Sequence, residues 1–517
     1  MTEAPTPTGQ EGIHRRLVLG WAGKMLALAI AVAEQVLLVP VFLYFWGPAP
    51  YGDWLVALSA AGLLVLLDAG LQTYYANAFH LALSRGDEAA FRRLFHQAGA
   101  VYAAILALAL PAALLAGVAV PWKEALRLGT TGSGTASLVL VLLAVSFLAR
   151  LPFGAANAVY RAHGDFAVGI MTGNAAQTLL IGAVALALWA DGGMVALGVV
   201  YLAVVAASWA GIVAHQRRRY PGLRYGFARP DGTALRELAV VAPLYALAPA
   251  ATMVATQGTV VLIAALAAGG GAVVAYATLR TLTGIARMVT TQVTQVAGVE
   301  IARQYAQGDT PALATLYDFI CRLTGGLSGA LSGAVAFFGP PFLAIWTLGK
   351  VPFEPHIFWP LLASAALAGP AVAGASVLHV INRPRGIAAA YAASAALVIV
   401  LCLALVPAMG GAGAAWAVLA AEAGVLSVVL PAQTARAIGG SAVARTVLTQ
   451  LHAGAAFSIG AGSAWLALWY TGADTLGELV VASVLWCCLA LPPLFLLLFN
   501  RGRRKWIVDR LRERSPL

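Results

Sequence analysis

Residues 17–46 read LVLGWAGKMLALAIAVAEQVLLVPVFLYFW, thirty residues in which only Lys24 and Glu34 carry charge. A helix rises 1.5 Å per residue and needs about 20 predominantly apolar residues to cross the hydrocarbon of a bilayer. This stretch is long enough, and its apolar residues run all round the helix rather than along one stripe, so it reads as a membrane span. The signature recurs. Further apolar segments lie at 54–83, 95–120, 136–160, 166–189, 194–214, 238–267, 272–300, 318–348, 357–381, 387–408, 412–435, 449–471 and 477–500. Across 517 residues 61% are hydrophobic and 10% charged, with a mean hydropathy of +0.84. A water-soluble domain has nowhere to hide that much apolar surface. Isolated spans must satisfy their backbone hydrogen bonds internally, and the alternating pattern of an outer-membrane barrel is missing. The expected fold is an all-α integral membrane protein with about 14 transmembrane helices.

Lys and Arg resist translocation and collect in cytoplasmic loops. With the amino terminus inside, the inner segments hold 26 of the 32 basic residues, the outer loops hold Lys123, Arg127 and Lys350, and Arg150, Arg280 and Arg287 fall inside spans. That alternation predicts cytoplasmic amino and carboxy termini. The net charge of +11 is therefore a topology signal with added attraction to anionic membrane lipids, and nucleic acid is not expected as a partner. The first fourteen residues lack the design of a cleaved signal peptide, so the first helix is expected to be retained as a signal anchor.

Enzymatic chemistry finds little support. Cys321 and Cys402 are isolated and Cys487 and Cys488 adjacent, giving neither zinc spacing nor a disulfide framework. No His pair has metal-site spacing, and no G-x-x-x-x-G-K-[ST] loop is present to hold ATP phosphates. The acids assigned to outer loops, Asp53, Glu124, Asp191, Glu354, Asp474 and Glu478, are too scattered for a glycosyltransferase acting on lipid-linked sugars. The reading is a protein that is not an enzyme and needs no metal or cofactor.

What carries information is charge inside the spans, each costing at least ~2.5–3.5 kcal/mol at a helix centre. Glu34 lies in the first span, Asp68 in the second, Arg150 in the fourth, Arg280 and Arg287 in the eighth, and Glu422 in the twelfth. Arg280 and Arg287 are two turns apart and share a face. Together with Thr281, Thr283, Thr290, Thr291, Gln292, Thr294 and Gln295 they make the eighth span the most polar, which suggests that it lines a cavity. Glu34 overlaps the two arginines in depth, so an ion pair between them is one expectation; an anion site, in which a guanidinium fork engages a phosphate, is the other. Glu422 is read as structural, and Asp68 and Arg150 as either packing or cavity residues.

Two stretches link these residues to a known family. FWGPAPYGDWLVALSAAGLLVLLDAGLQTYYAN at 45–77 resembles the first-to-second helix signature of bacterial polysaccharide flippases, and YATLRTLTGIARMVTTQVTQVAGVEIARQYAQGD at 276–309 resembles their eighth helix and its exit. IWTLGK at 345–350, INRPRG at 381–386 and MGGAGAAWAVLAAE at 409–422 follow in the same order. The resemblance is to the Wzx-like branch of the superfamily that also holds MATE drug exporters and the lipid II flippase. It implies two six-helix lobes facing each other in a V plus two carboxy-terminal helices: 1–216, a basic linker 217–237, 238–440, and 441–517. It further implies alternating access in the bacterial inner membrane, a lipid-linked oligosaccharide on an undecaprenyl pyrophosphate carrier as substrate, and polysaccharide polymerase or glycosyltransferase machinery as partners. The substrate-cavity residues expected on this basis are Arg280, Arg287, Glu34, Asp68, Arg150 and Gln257. A MATE-like ion-coupled drug or cation antiporter is the alternative.

Overall fold

The computed structural model describes residues 10–499 apart from 268–269 and 440, together with 502 and 504; the extreme amino terminus and most of the basic tail, on which the reading of the termini rests, lie outside these. The described residues contain no strand. The helices are α1 (Gln10–Phe45), α2 (Pro48–Gly62), α3 (Leu71–Ser84), α4 (Glu88–Ala119), α5 (Trp122–Ala125), α6 (Ser133–Arg150), α7 (Phe153–Ala162), α8 (Phe166–Trp189), α9 (Met194–Arg219) and α10 (Gly232–Met253). They continue as α11 (Thr259–Leu266), α12 (Gly270–Ala306), α13 (Thr310–Trp346), α14 (Pro355–Leu367), α15 (Gly369–Val380), α16 (Pro384–Met409), α17 (Gly411–Ala421), α18 (Ser427–Ile438), α19 (Ala442–Thr471) and α20 (Leu476–Leu498). Among the described residues twelve helices are long and apolar enough to cross a membrane, and α14 with α15, bent by 44°, makes a thirteenth. The eighth span of the sequence reading is α12. Its 37 residues are ample in length, and its arginines, threonines and glutamines alone keep it out of an apolar count.

Two compact units divide the chain, Met1–Pro249 and Ala250–Leu517. In the first, the second span is not one helix. After α2 it tightens into a 3₁₀ turn over Leu63–Asp68, then breaks at Ala69 and Gly70, both left-handed (φ 47° and 83°), before α3 resumes. A Cβ at Gly70 would collide with the α10 backbone at Ala242, so the break is where α10 packs closest. Beyond it, Tyr75, Phe79, Phe91, Phe95 and Tyr102 form a buried aromatic core between α3 and α4, with Phe79 edge-on to Phe91 at 5.5 Å.

In the second unit the packing of α13 on α19 is set by small residues. Gly325, Gly329 and Gly333 repeat every four positions on one face of α13, and a Cβ on any of them would strike Thr449, Ala453 or Phe457 of α19. From the other side Gly460 meets the Ala330 carbonyl. In lipid no hydrophobic force drives helices together, so close backbone approach and its dispersion energy must do so; this stripe provides both and fixes α19 to α13. Arg445 of α19 adds an ion pair to Asp318 of α13 at 2.7 Å.

Candidate functional site

The polarity of α12 has two parts. Thr278, Thr283 and Thr290 are buried and return their hydroxyls to carbonyls four residues back, Val274, Leu279 and Ala286, at 2.7–2.9 Å. Such back-bonding satisfies a hydroxyl in an apolar setting, so these threonines are packing residues. The second part is the arginine pair. The Arg280 guanidinium donates to the Thr256 carbonyl and stands over the Tyr276 ring at 5.6 Å. Arg287 Nη2 pairs with Glu422 Oε2 at 2.5 Å.

Both partners lie where a span widens. Val254–Gly258, containing Thr256 and Gln257, is a π-helical segment between α10 and α11, and Glu422–Leu426 is another between α17 and α18. An i→i+5 turn inserts a residue and pulls a carbonyl or side chain out of the regular ladder, a frequent device at functional sites. Arg280 takes up the carbonyl at one widening, and Glu422 opens the other. Glu422 is only 3% exposed, and its Oε1 is buried with no hydrogen-bond donor. The Arg287 side chain is 39% exposed, and among the described residues its single hydrogen bond is the one to Glu422. The acid is sealed inside protein while the side chain of the base keeps part of its surface exposed.

The first unit holds the other expected residues. Glu34 Oε2 accepts a 2.6 Å bond from Gln177 Nε2 of α8, with Arg150 and Tyr201 within electrostatic range. Arg150, Tyr201 and Ser208 line a cavity of about 40 Å³ nearby, room for about two or three waters. Asp68 accepts the Tyr102 hydroxyl at 2.7 Å and lies 3.4 Å from the Gln72 amide, which places it as a brace at the break in the second span. Within the first unit Glu34 is partnered by Gln177, and within the second Arg287 is partnered by Glu422.

Sequence reading passed over Gln177, Tyr201 and Tyr102 because uncharged polar residues are unremarkable in a span. It gave Glu422 a structural role for want of polar neighbours in sequence, whereas its neighbour is on another helix. It also placed Asp53 among the outer-loop acids. Asp53 is instead in the first turns of α2, 1% exposed, and gathers the Gly129, Thr130 and Thr131 amides and both threonine hydroxyls at 2.7–3.0 Å. Among the described residues no three His, Cys, Asp or Glu are grouped as a metal site.

No family model matches the chain, and no curated protein matches it in sequence. Solved structures do match in fold. The lipid II flippase MurJ in an inward closed conformation superposes with a TM-score of 0.61 at 11% identity, over 92% of this chain and 98% of that one. An inward-facing multidrug resistance MATE family transporter of the MOP superfamily gives 0.58 at 13% identity, over 82% and 98%. The MATE multidrug transporter DinF-BH gives 0.53 at 14%, over 83% and 97%. The chain therefore has the helical membrane fold common to these proteins, and at such identities the likeness is one of fold alone.

Proposed function

We propose that this protein is a flippase that moves an undecaprenyl-pyrophosphate-linked oligosaccharide across the bacterial cytoplasmic membrane by alternating access, for assembly of a surface polysaccharide. The observation that carries the reading is the one-sided satisfaction of Arg287. An arginine present only to hold two helices together gains most from a bidentate, fully buried pair; this one bonds Glu422 through Nη2 alone, and its side chain is 39% exposed. The remaining N–H groups of such a guanidinium can donate to phosphate oxygens. Glu422 fixes the plane of the guanidinium, and Arg280, anchored to Thr256 with Gln257 beside it, adds a second positive charge two turns away. The sugar and pyrophosphate would enter this polar path while the polyprenyl tail stays in lipid, and differing affinity in the inward-open and outward-open states would carry the head across. The fold shared with a protein titled lipid II flippase is in keeping with a lipid-linked substrate. Glycosyltransferases and a polymerase would supply and consume it.

One observation favours the alternative of an ion-coupled antiporter: Glu34, held by Gln177 inside a span, is a carboxylate of the sort that could bind a coupling cation or proton. The test is leaflet-resolved accessibility of a fluorescent undecaprenyl-pyrophosphate oligosaccharide in proteoliposomes, comparing wild type with Arg287→Gln/Glu422→Gln. The expected result is movement in wild type and a loss of at least about tenfold in the double variant, the scale of one charge-assisted contact. Wild-type movement in the double variant would refute the role of Arg287. No movement in wild type across several glycans, with cation-dependent drug efflux instead, would favour the antiporter.

A further inference from the structure

The segment between α9 and α10 offers a surface that the transport reading does not use. It is not a loose tether. Leu223 is buried, the Ala228 amide donates to the His96 carbonyl of α4 at 3.1 Å, the His96 ring bonds the Arg224 carbonyl at 2.8 Å, and the Tyr225 hydroxyl bonds Gln216 at 2.6 Å. Gly99 of α4 permits this approach, since a Cβ there would come within 2.8 Å of the Gly226 carbonyl and reach the Phe227 ring. The backbone thus docked presents Phe227 outward, 76% exposed. Arg217, Arg218, Arg224 and Arg229 lie within ten positions of it in sequence, all exposed, and among the described residues none of the four makes an ion pair.

The depth of Phe227 follows from its contact with Gly99. In α4 the polar run EAAFRRLFHQ ends at Gln97, and AGAVYAAILALAL begins at Ala98, so Gly99 marks the level at which this span passes from headgroups into hydrocarbon. An exposed aromatic ring at that level, in a segment whose exposed arginines have no acidic partner among the described residues, fits the boundary between acyl chains and anionic headgroups. We propose that residues 217–229 form a binding surface for anionic phospholipid headgroups, with Phe227 inserted at the acyl boundary and Arg224 and Arg229 holding the phosphates. The occupant is a lipid of the surrounding leaflet, and the site is separate from the arginine pair of α12.

The test places p-benzoylphenylalanine at position 227 of the full chain in nanodiscs of phosphatidylcholine with one quarter phosphatidylglycerol, followed by irradiation and mass spectrometry of the adducts. Lipid adducts are expected to dominate, with phosphatidylglycerol enriched at least about threefold over its share. Arg224→Gln/Arg229→Gln should abolish the enrichment while leaving total lipid capture and melting temperature unchanged, and high salt should reduce the enrichment in the parent chain. Lipid capture without enrichment would overturn the proposal, as would enrichment that survives the double variant. Capture of the protein's own backbone or of a second copy instead of lipid would overturn it too.

Discussion

Replacing Arg287 with Gln should destabilise the second unit, and the size of the loss follows from the burial of Glu422. The substitution removes the charge that balances a carboxylate 3% exposed to solvent, whose Oε1 already lacks a donor. Breaking a buried pair from one side costs about 3–5 kcal/mol. Removing the acid instead leaves a guanidinium that is 39% exposed and can be solvated, so Glu422→Gln should cost only about 1–2 kcal/mol. The double variant should recover most of the loss from Arg287→Gln, giving a coupling of at least about 1.5 kcal/mol in a double-mutant cycle. Thermal unfolding in detergent, followed by intrinsic fluorescence, measures all four proteins. A deficit in Arg287→Gln no larger than that in Glu422→Gln, or a double variant as unstable as Arg287→Gln, would refute the reasoning. The cycle also explains why the transport test uses the double variant, in which lost movement cannot be blamed on a stranded charge.

Gly329→Leu should abolish the close packing of α13 on α19, because a Cβ there already meets the Ala453 backbone; a loss above about 3 kcal/mol is expected, visible as aggregation in size-exclusion chromatography, while Gly424→Ala, in open space, should run as wild type. Asp53→Asn replaces an acceptor of five hydrogen bonds with a group that must turn two donors on other donors, costing about 2–4 kcal/mol and exposing the 126–131 loop to proteolysis. At the ends of α7 and α9, burial alone would raise the Asp165 carboxyl, but hydrogen bonds from Tyr220 at 2.7 Å and Arg219 at 3.2 Å outweigh it and hold the group below the usual carboxylate range. Its contribution is thus complete above about pH 4 and lost only as the pH falls through the lowered folded value; Asp165→Asn should lower the melting temperature by a constant amount from pH 5 to 8, and a difference that varied across that window would contradict the assignment.

The spans were legible because insertion into lipid imposes a length and a composition that any sequence must show. The eighth was found despite its polarity, since its flanks and the alternation of basic loops required a helix there. What could not be read were departures from the straight rod: the left-handed break at Ala69–Gly70, the 44° bend between α14 and α15 and the two π-helical widenings. These depend on what packs against the helix, and a glycine in an alanine- and glycine-rich span looks the same whether it faces lipid or the backbone of another helix. Gly325, Gly329 and Gly333 show the point, one spacing among many in sequence and the seam of the second unit in space. At the site, charge was legible and pairing was not. Arg287 could be chosen from its cost in a membrane, but Glu422 is 135 positions away, and no local pattern marks the contact.

The two arginines share a logic that bears on which reading of α12 holds. A charged pair inside a membrane protein is seldom the stable choice, since apolar residues of similar volume are as good or better at joining helices. If α12 only needed joining to its neighbours, Arg280 and Arg287 would be a costly way to do it, and regular helices opposite them would serve. Instead each arginine meets a span at the point where that span is locally unwound into a π turn, Arg280 at the Thr256 carbonyl and Arg287 at one carboxylate oxygen of Glu422. Such anchoring fixes the direction of each guanidinium. The arrangement thus holds positive charge in place at two depths of one helix, in keeping with the proposed carriage of a lipid-linked pyrophosphate.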